Sequence, residues 1–159
     1  MRPAVQRAES LKAMENIVYR QQIPTPRQFN NLTESVGWGT RDEKTVEKAL
    51  SNSLYCLCAF DGEEIVGFAR IIGDETIFLY IQDVMVRPEY QGRGIGRGIM
   101  QKLMEQIGRY CQVNPRIRTY LGADKGKEGF YRKLGFDTRA DAGLGPGMVM
   151  IGRPCCDKP

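Results

Sequence analysis

The segment Gln91-Gly92-Arg93-Gly94-Ile95-Gly96-Arg97 holds residue types and spacings that could do chemistry. Three glycines at alternate positions let backbone N–H groups crowd around one point. Apolar residues follow at helical spacing: Ile95, Ile99, Leu103 and Ile107, with Met100 and Met104 widening the stripe. The point is therefore a helix N-terminus, with unpaired donors and the positive end of the dipole, which suits a phosphate or pyrophosphate. Arg93 and Arg97 add two formal charges beside it. A tight strand-to-helix turn needing glycine only for its geometry is the alternative. So many glycines beside two arginines favour the anion.

Spacing narrows the choice of anion. A dinucleotide fingerprint G-x-G-x-x-G fails, because the last slot holds Arg97 counting from Gly92 and Ile99 counting from Gly94. No G-x-x-x-x-G-K-[ST] string occurs. The pattern Q/R-x-x-G-x-G/A is filled by Gln91, Gly94 and Gly96, and the stretch DVMVRPEYQGRGIG around it is followed downstream by FYRKLGF, Phe130 to Phe136. This ordered pair of motifs resembles the GNAT acetyltransferase superfamily, and the resemblance covers roughly residues 54–136.

That resemblance implies an α+β fold, with a central, mostly antiparallel twisted sheet, one splayed and bulged strand, and helices on both faces. It implies acetyl-CoA as cofactor and acetyl transfer to a primary amine. By matching, the bulge falls at Val84-Met85-Val86, whose exposed N–H and C=O groups would meet the pantetheine arm. One of those N–H groups would steady the thioester carbonyl. The N–H groups of Gly92, Arg93, Gly94, Ile95 and Gly96, with the side chains of Arg93 and Arg97, would hold the pyrophosphate. Tyr131 matches the family's proposed general acid. Asp124 stands seven residues earlier, where the family often has asparagine. A carboxylate accepts but does not donate unless protonated, so Lys125 and Lys127 would reorganise that contact. Phe130 completes the implied cofactor-side set. For Tyr131 the residue-level alternative is a helix aromatic packed beside Phe130.

The chain has no histidine, which removes Ser-His-Asp and Cys-His catalysis and almost every catalytic zinc pattern. No metal site is expected. Proton chemistry falls to Tyr, Asp, Glu, Lys, Cys or water. Where some relatives carry a strand glutamate, this chain has Tyr80; Tyr80 and Gln82 share a strand face and would hold a water that accepts the amine proton. Asp83 points the other way unless a bulge re-aims it, and reads as a structural hydrogen-bonder. For the acceptor pocket, Glu34 and Trp38 are candidates, with Asp42 a second carboxylate able to attract an amine; Trp38 is either a lid aromatic or a core plug.

With 159 residues and a net charge of +4, the length suits one domain with a real core. Basic residues form no run, so nucleic acid is not an expected partner, and no apolar stretch is long enough for a membrane span. No hydrophobic leader is seen in the sequence, and five cysteines without a C-x-x-C pair read as free thiols of a reducing cytoplasm. The expected acceptor is a small-molecule amine; a protein lysine or N-terminal amine, and a non-catalytic acyl-CoA sensor, are the competing readings. Dimers are common in the family, and no residue here decides between monomer and homodimer.

The elements that position these residues read in order as follows. A lead (residues 1–13) precedes a strand at 15–22; helices are expected at 27–36 and from about 43, capped by Thr25 or Thr33 and by Asp42 or Thr40. Strands at 54–60, 65–72 and 77–86 form a meander, with Asp61-Gly62 and Gly73-Asp74 as turns. Pro88 ends the third strand. After the long helix come a strand at 116–121, a short helix at 127–134, a glycine loop with Gly143, Gly145 and Gly147, a strand at 148–151 and a tail at 153–159.

Overall fold

In the computed structural model, which describes residues 16–149, strand β1 (Ile17–Gln21) leads into two helices that start where the sequence supplies caps. Helix α1 (Pro26–Ser35) opens on Thr25: its side chain accepts from Gln28 N at 3.2 Å, and Gln28 Oε1 accepts from Thr25 N at 2.9 Å. This reciprocal box satisfies two donors that the first turn would otherwise leave unpaired. Helix α2 (Glu43–Ser51) opens on Asp42, whose carboxylate accepts from Thr45 N at 3.0 Å. Of the two candidate caps named for each helix, Thr25 and Asp42 are the ones used.

Strands β2 (Tyr55–Asp61), β3 (Glu64–Gly73) and β4 (Phe78–Val86) then form the expected meander. A 3-10 turn at Pro88–Tyr90 leads to helix α3 (Ile95–Val113), which crosses back to strand β5 (Arg118–Leu121). The sheet runs β1-β2-β3-β4-β5; the first three pairings are antiparallel, and β4 with β5 is parallel, as a helical crossover requires.

Alternation along the strands sorts the core into two layers. Cys56, Cys58, Phe60, Phe68 and Met85 pack against Phe29 and Leu32 of α1 and Val46 and Leu50 of α2. Burial pushes the Cys58 thiol up to about 12 and raises Cys56 as well, as inert core thiols should be. Helix α3 covers the other face with Ile95, Ile99, Met100, Leu103 and Ile107, all buried. Each such side chain contributes roughly 1.5–3 kcal/mol through burial. The approach is close at Gly67, where a Cβ would stand 2.8 Å from Ile99 Cδ1.

The described residues fall into two compact units that divide after Gly122. The second contains helix α4 (Glu128–Arg132), shorter than the span expected, and closed by Gly135 at φ +90°. Phe130, Tyr131 and Phe136 meet edge-on, with centroids 5.0 and 6.3 Å apart. The strand expected at 148–151 is not formed at Met148 or Val149, and its remaining positions, with the lead and the tail, lie outside the described residues.

Candidate active site

The sheet opens at β4. Strand β5 pairs with Phe78, Leu79, Tyr80 and Ile81 only, so past Ile81 residues 82–86 have no strand on that side within the first unit. On the other side the register with β3 slips: Met85 faces Phe68 and Gln82 faces Arg70, so Asp83 and Val84 together oppose Ala69. This is a β-bulge, two residues against one. It begins one residue earlier than the position expected at Val84-Met85-Val86, because Asp83, at φ +56°, takes the left-handed turn. Met85 itself is back in register and buried.

Past the bulge, Arg87 N donates to Val66 O at 2.9 Å. Antiparallel alternation then turns the Val86 N–H and C=O away from β3, toward the open side. Val86 O accepts from Gln91 Nε2 at 2.9 Å, so the motif glutamine is spent on the strand end. Its neighbours fasten the same turn. Arg87 Nε donates to Ile65 O at 3.1 Å and pairs with Glu64 at 3.3 Å. Tyr90 donates to Asp61 at 3.0 Å, and Arg93 lies 4.9 Å over the Tyr90 ring while donating to Glu89 O at 2.8 Å. Arg93 is thus folded back as a brace of the turn, where the sequence suggested a charge beside the anion; Arg97 is exposed.

After this brace the backbone enters α3 through Gly92 at φ +75° and Gly94 at φ +83°. Gly94 is the N-cap and offers no side-chain bond; the first helical bond runs from Gly98 N to Gly94 O at 2.9 Å. Ile95, Gly96 and Arg97 therefore keep N–H groups with no acceptor inside the helix. A Cβ at Gly92 would meet nothing within 4 Å. Open space, uncapped donors and a dipole end are the donor set a diphosphate requires, so these residues fit coenzyme A.

The remaining candidates divide by element. Tyr80 and Gln82 share the α1/α2 face, as expected, and a Cβ on Gly122 would stand 3.0 Å from the Tyr80 hydroxyl. Asp83 is re-aimed to the same face: its carboxylate binds Arg70 Nε at 2.6 Å. Trp38 is 41% exposed, which removes the core-plug reading, and its backbone N–H donates to Thr33 O at 2.9 Å. Glu34 is exposed one turn away, while the Asp42 carboxylate is occupied as the α2 cap. Arg70, Asp61, Glu64 and Tyr90 were not expected from sequence to hold partners around the site. Their partners lie 13 to 29 residues away, and only the sheet register reveals them.

In the second unit, Tyr131 is half-buried, and burial, then the Asp124 carboxylate, raises its phenol above the ordinary 10.0. Lys127 N donates to Asp124 O at 2.9 Å and Phe130 N to Lys127 O at 3.0 Å, so Asp124, Lys127 and Phe130 form the turn that launches α4.

Bulged strand, open sheet and glycine-led helix lie together along one stretch of the chain. The acetyltransferase (GNAT) domain model matches residues 52–138, and the chain belongs to the GNAT acetyltransferase family. Over 113 residues it is 36% identical to an uncharacterised N-acetyltransferase, ycf52-like, of Prochlorococcus marinus, covering 69% of this chain and 61% of that protein. It is 34% identical over 126 residues to GCN5-related N-acetyltransferase 1, chloroplastic, of Arabidopsis thaliana, covering 78% of this chain and 61% of that one. The chain thus spans about three fifths of the length of these curated relatives. Among solved structures, a GNAT family acetyltransferase of Streptococcus pneumoniae superimposes with a TM-score of 0.70 at 29% identity, over 87% of this chain and 99% of that one. Among the described residues no helix is long and apolar enough to cross a membrane.

Proposed function

We propose that this chain transfers an acetyl group from acetyl-CoA to the primary amine of a small molecule, by direct attack on the thioester. One observation carries the reading: past Ile81, β4 has no partner on the β5 side within the first unit and leads by a short turn into a helix start without a side-chain cap, so outward N–H groups of both lie along one short stretch. Acetyl-CoA supplies the activated carbonyl when bound. The Val86 N–H donates to the charge that develops on its oxygen, and the N–H groups of Gly92, Arg93, Gly94, Ile95 and Gly96, with the Arg97 charge, hold the diphosphate. Asp124, Lys127 and Phe130 are assigned to the pantetheine arm from the motif match. Tyr131, a phenol that burial and then the Asp124 carboxylate hold above its ordinary 10.0, is assigned to hydrogen-bond the departing thiolate.

Tyr80 and Gln82 are assigned to a water that takes the amine proton, and Glu34 and Trp38 to the acceptor. The proposed compartment is reducing, consistent with free Cys56, Cys58 and Cys111; the cytoplasm is the first choice, and the chloroplastic name of one relative makes a plastid interior the second.

Thiol release from acetyl-CoA with a panel of small amines, peptides and polyamines tests the reading. Small amines should be turned over; turnover of peptides alone makes the protein an acetyltransferase of proteins, and binding without thiol makes it a sensor. Gly94→Val forces a β-branched residue to φ +83° and should weaken acetyl-CoA binding at least about 100-fold. Tyr131→Phe should lower kcat about 10- to 100-fold with cofactor affinity kept. Unchanged kcat removes the role given to Tyr131.

A further inference from the structure

The bulge that opens β4 is made by a residue whose type resists the conformation it holds. Asp83 sits at φ +56°, a region that non-glycine residues enter reluctantly, Asp and Asn less so than others. Something must hold it there. Arg70, on the neighbouring strand, donates from Nε to the Asp83 carboxylate at 2.6 Å, with the two side chains only 14% and 13% exposed. The same guanidinium donates from Nη1 to Ala49 O at 2.8 Å and to Ser53 Oγ at 3.3 Å. Ala49 is in the last turn of α2, and Ser53 follows it. One planar fork therefore ties the bulge to the end of a helix on the acceptor-side face, a geometry that lysine, a point charge, does not reproduce.

From this juxtaposition we infer that Arg70 and Asp83 are positioning residues: their ion pair sets the shape of the β4 bulge and so the place of the Val86 N–H beside the acyl donor. The consequence for catalysis rests on the acetyl transfer proposed above; the hold on the bulge does not. Asp83 acts through the backbone, its carboxylate being engaged with Arg70. Turnover should depend on the pair more steeply than cofactor binding does, because the diphosphate is held by the glycine turn, several residues further on.

The test uses the full chain with Arg70→Met, Asp83→Gly, and the double variant Arg70→Met/Asp83→Asn. Asp83→Gly keeps the left-handed backbone accessible, so the chain folds while the anchor is lost. Removing one partner of a largely buried pair leaves a charge uncompensated, and the double variant, which leaves none, should recover most of the thermal midpoint lost by Arg70→Met. In all variants two readouts are expected to stay changed and a third to hold. Exchange of the Met85 amide rises about tenfold or more while those of Leu57 and Ile71 hold. The kcat falls about 10- to 100-fold, since small misplacements of a reacting group cost that much. The KM for acetyl-CoA moves less than about threefold.

Met85 exchange equal to that of the wild type overturns the inference. So does a double variant whose kcat recovers together with its midpoint, since the pair would then be structural only. A wild-type chain that releases no thiol with any amine overturns the functional reading instead, and the exchange arm alone then decides the inference.

Discussion

A Cβ built at Gly98 would stand 2.1 Å from the Tyr19 hydroxyl and 2.6 Å from its Cζ, so β1 rests its tyrosine directly on the first turns of α3. The hydroxyl lies 3.5 Å from Ile95 O, and burial raises the phenol's pKa. At the far end of the same helix a Cβ at Gly108 would meet nothing within 4 Å. The two glycines should therefore respond with opposite signs. Gly108→Ala gains helix propensity and should stabilise by about 0.5–1 kcal/mol. At Gly98 the same gain is outweighed by overpacking of about 1–3 kcal/mol, and Gly98→Ala should be destabilising overall. Urea unfolding of both variants checks the contrast, and Tyr19→Ala should erase the Gly98 penalty. In sequence these glycines look alike, one apolar stripe apart. What separates them is Tyr19, 79 positions upstream of Gly98, a distance that periodicity does not bridge.

At the level of elements, the chain announced its order well: three meandering strands, a long helix and a strand after it follow from hydrophobic period and turn residues, each a short-range signal. The bulge, implied by the family resemblance, lies one residue earlier than expected, because Asp83 takes the left-handed turn, a choice that strand periodicity does not reveal. The glycine turn was legible as a strand-to-helix turn, but the fate of Arg93 was not, since the Tyr90 ring it covers is itself fixed by Asp61 on another strand. The β3–β4 turn gives an element-level prediction. Asp74 Oδ1 accepts the N–H groups of Phe78, Ile77 and Thr76, which hold the carboxyl down to about 2 from an ordinary 3.8. The folded value lies below the unfolded one, so this contribution is complete above 3.8 and is lost as pH falls through about 2. Asp74→Ala should lower the thermal midpoint at pH 7, and melts across the acid range should show the gap from wild type closing in that window.

For the molecule as a whole, the absence of histidine and the direction of its shifts govern the pH behaviour. Cys56, Cys58 and Tyr131 move up, Asp74 and Asp141 down, all away from neutrality. The rising limb of kcat/KM should then report the acceptor amine losing its own proton. Two acceptors whose pKa values differ by about one unit should give limbs displaced by about that amount. A limb common to both would assign the step to a protein group and refute the water relay at Tyr80 and Gln82.

The braces on residues 87–93 carry one last consequence, for the speed of capture. A cradle stiffened beforehand by its own side chains has no slow closing motion to wait for. In stopped-flow mixing, the rate of coenzyme A uptake should climb in a straight line with concentration and never level off, whereas breaking the Tyr90–Asp61 link should introduce a ceiling.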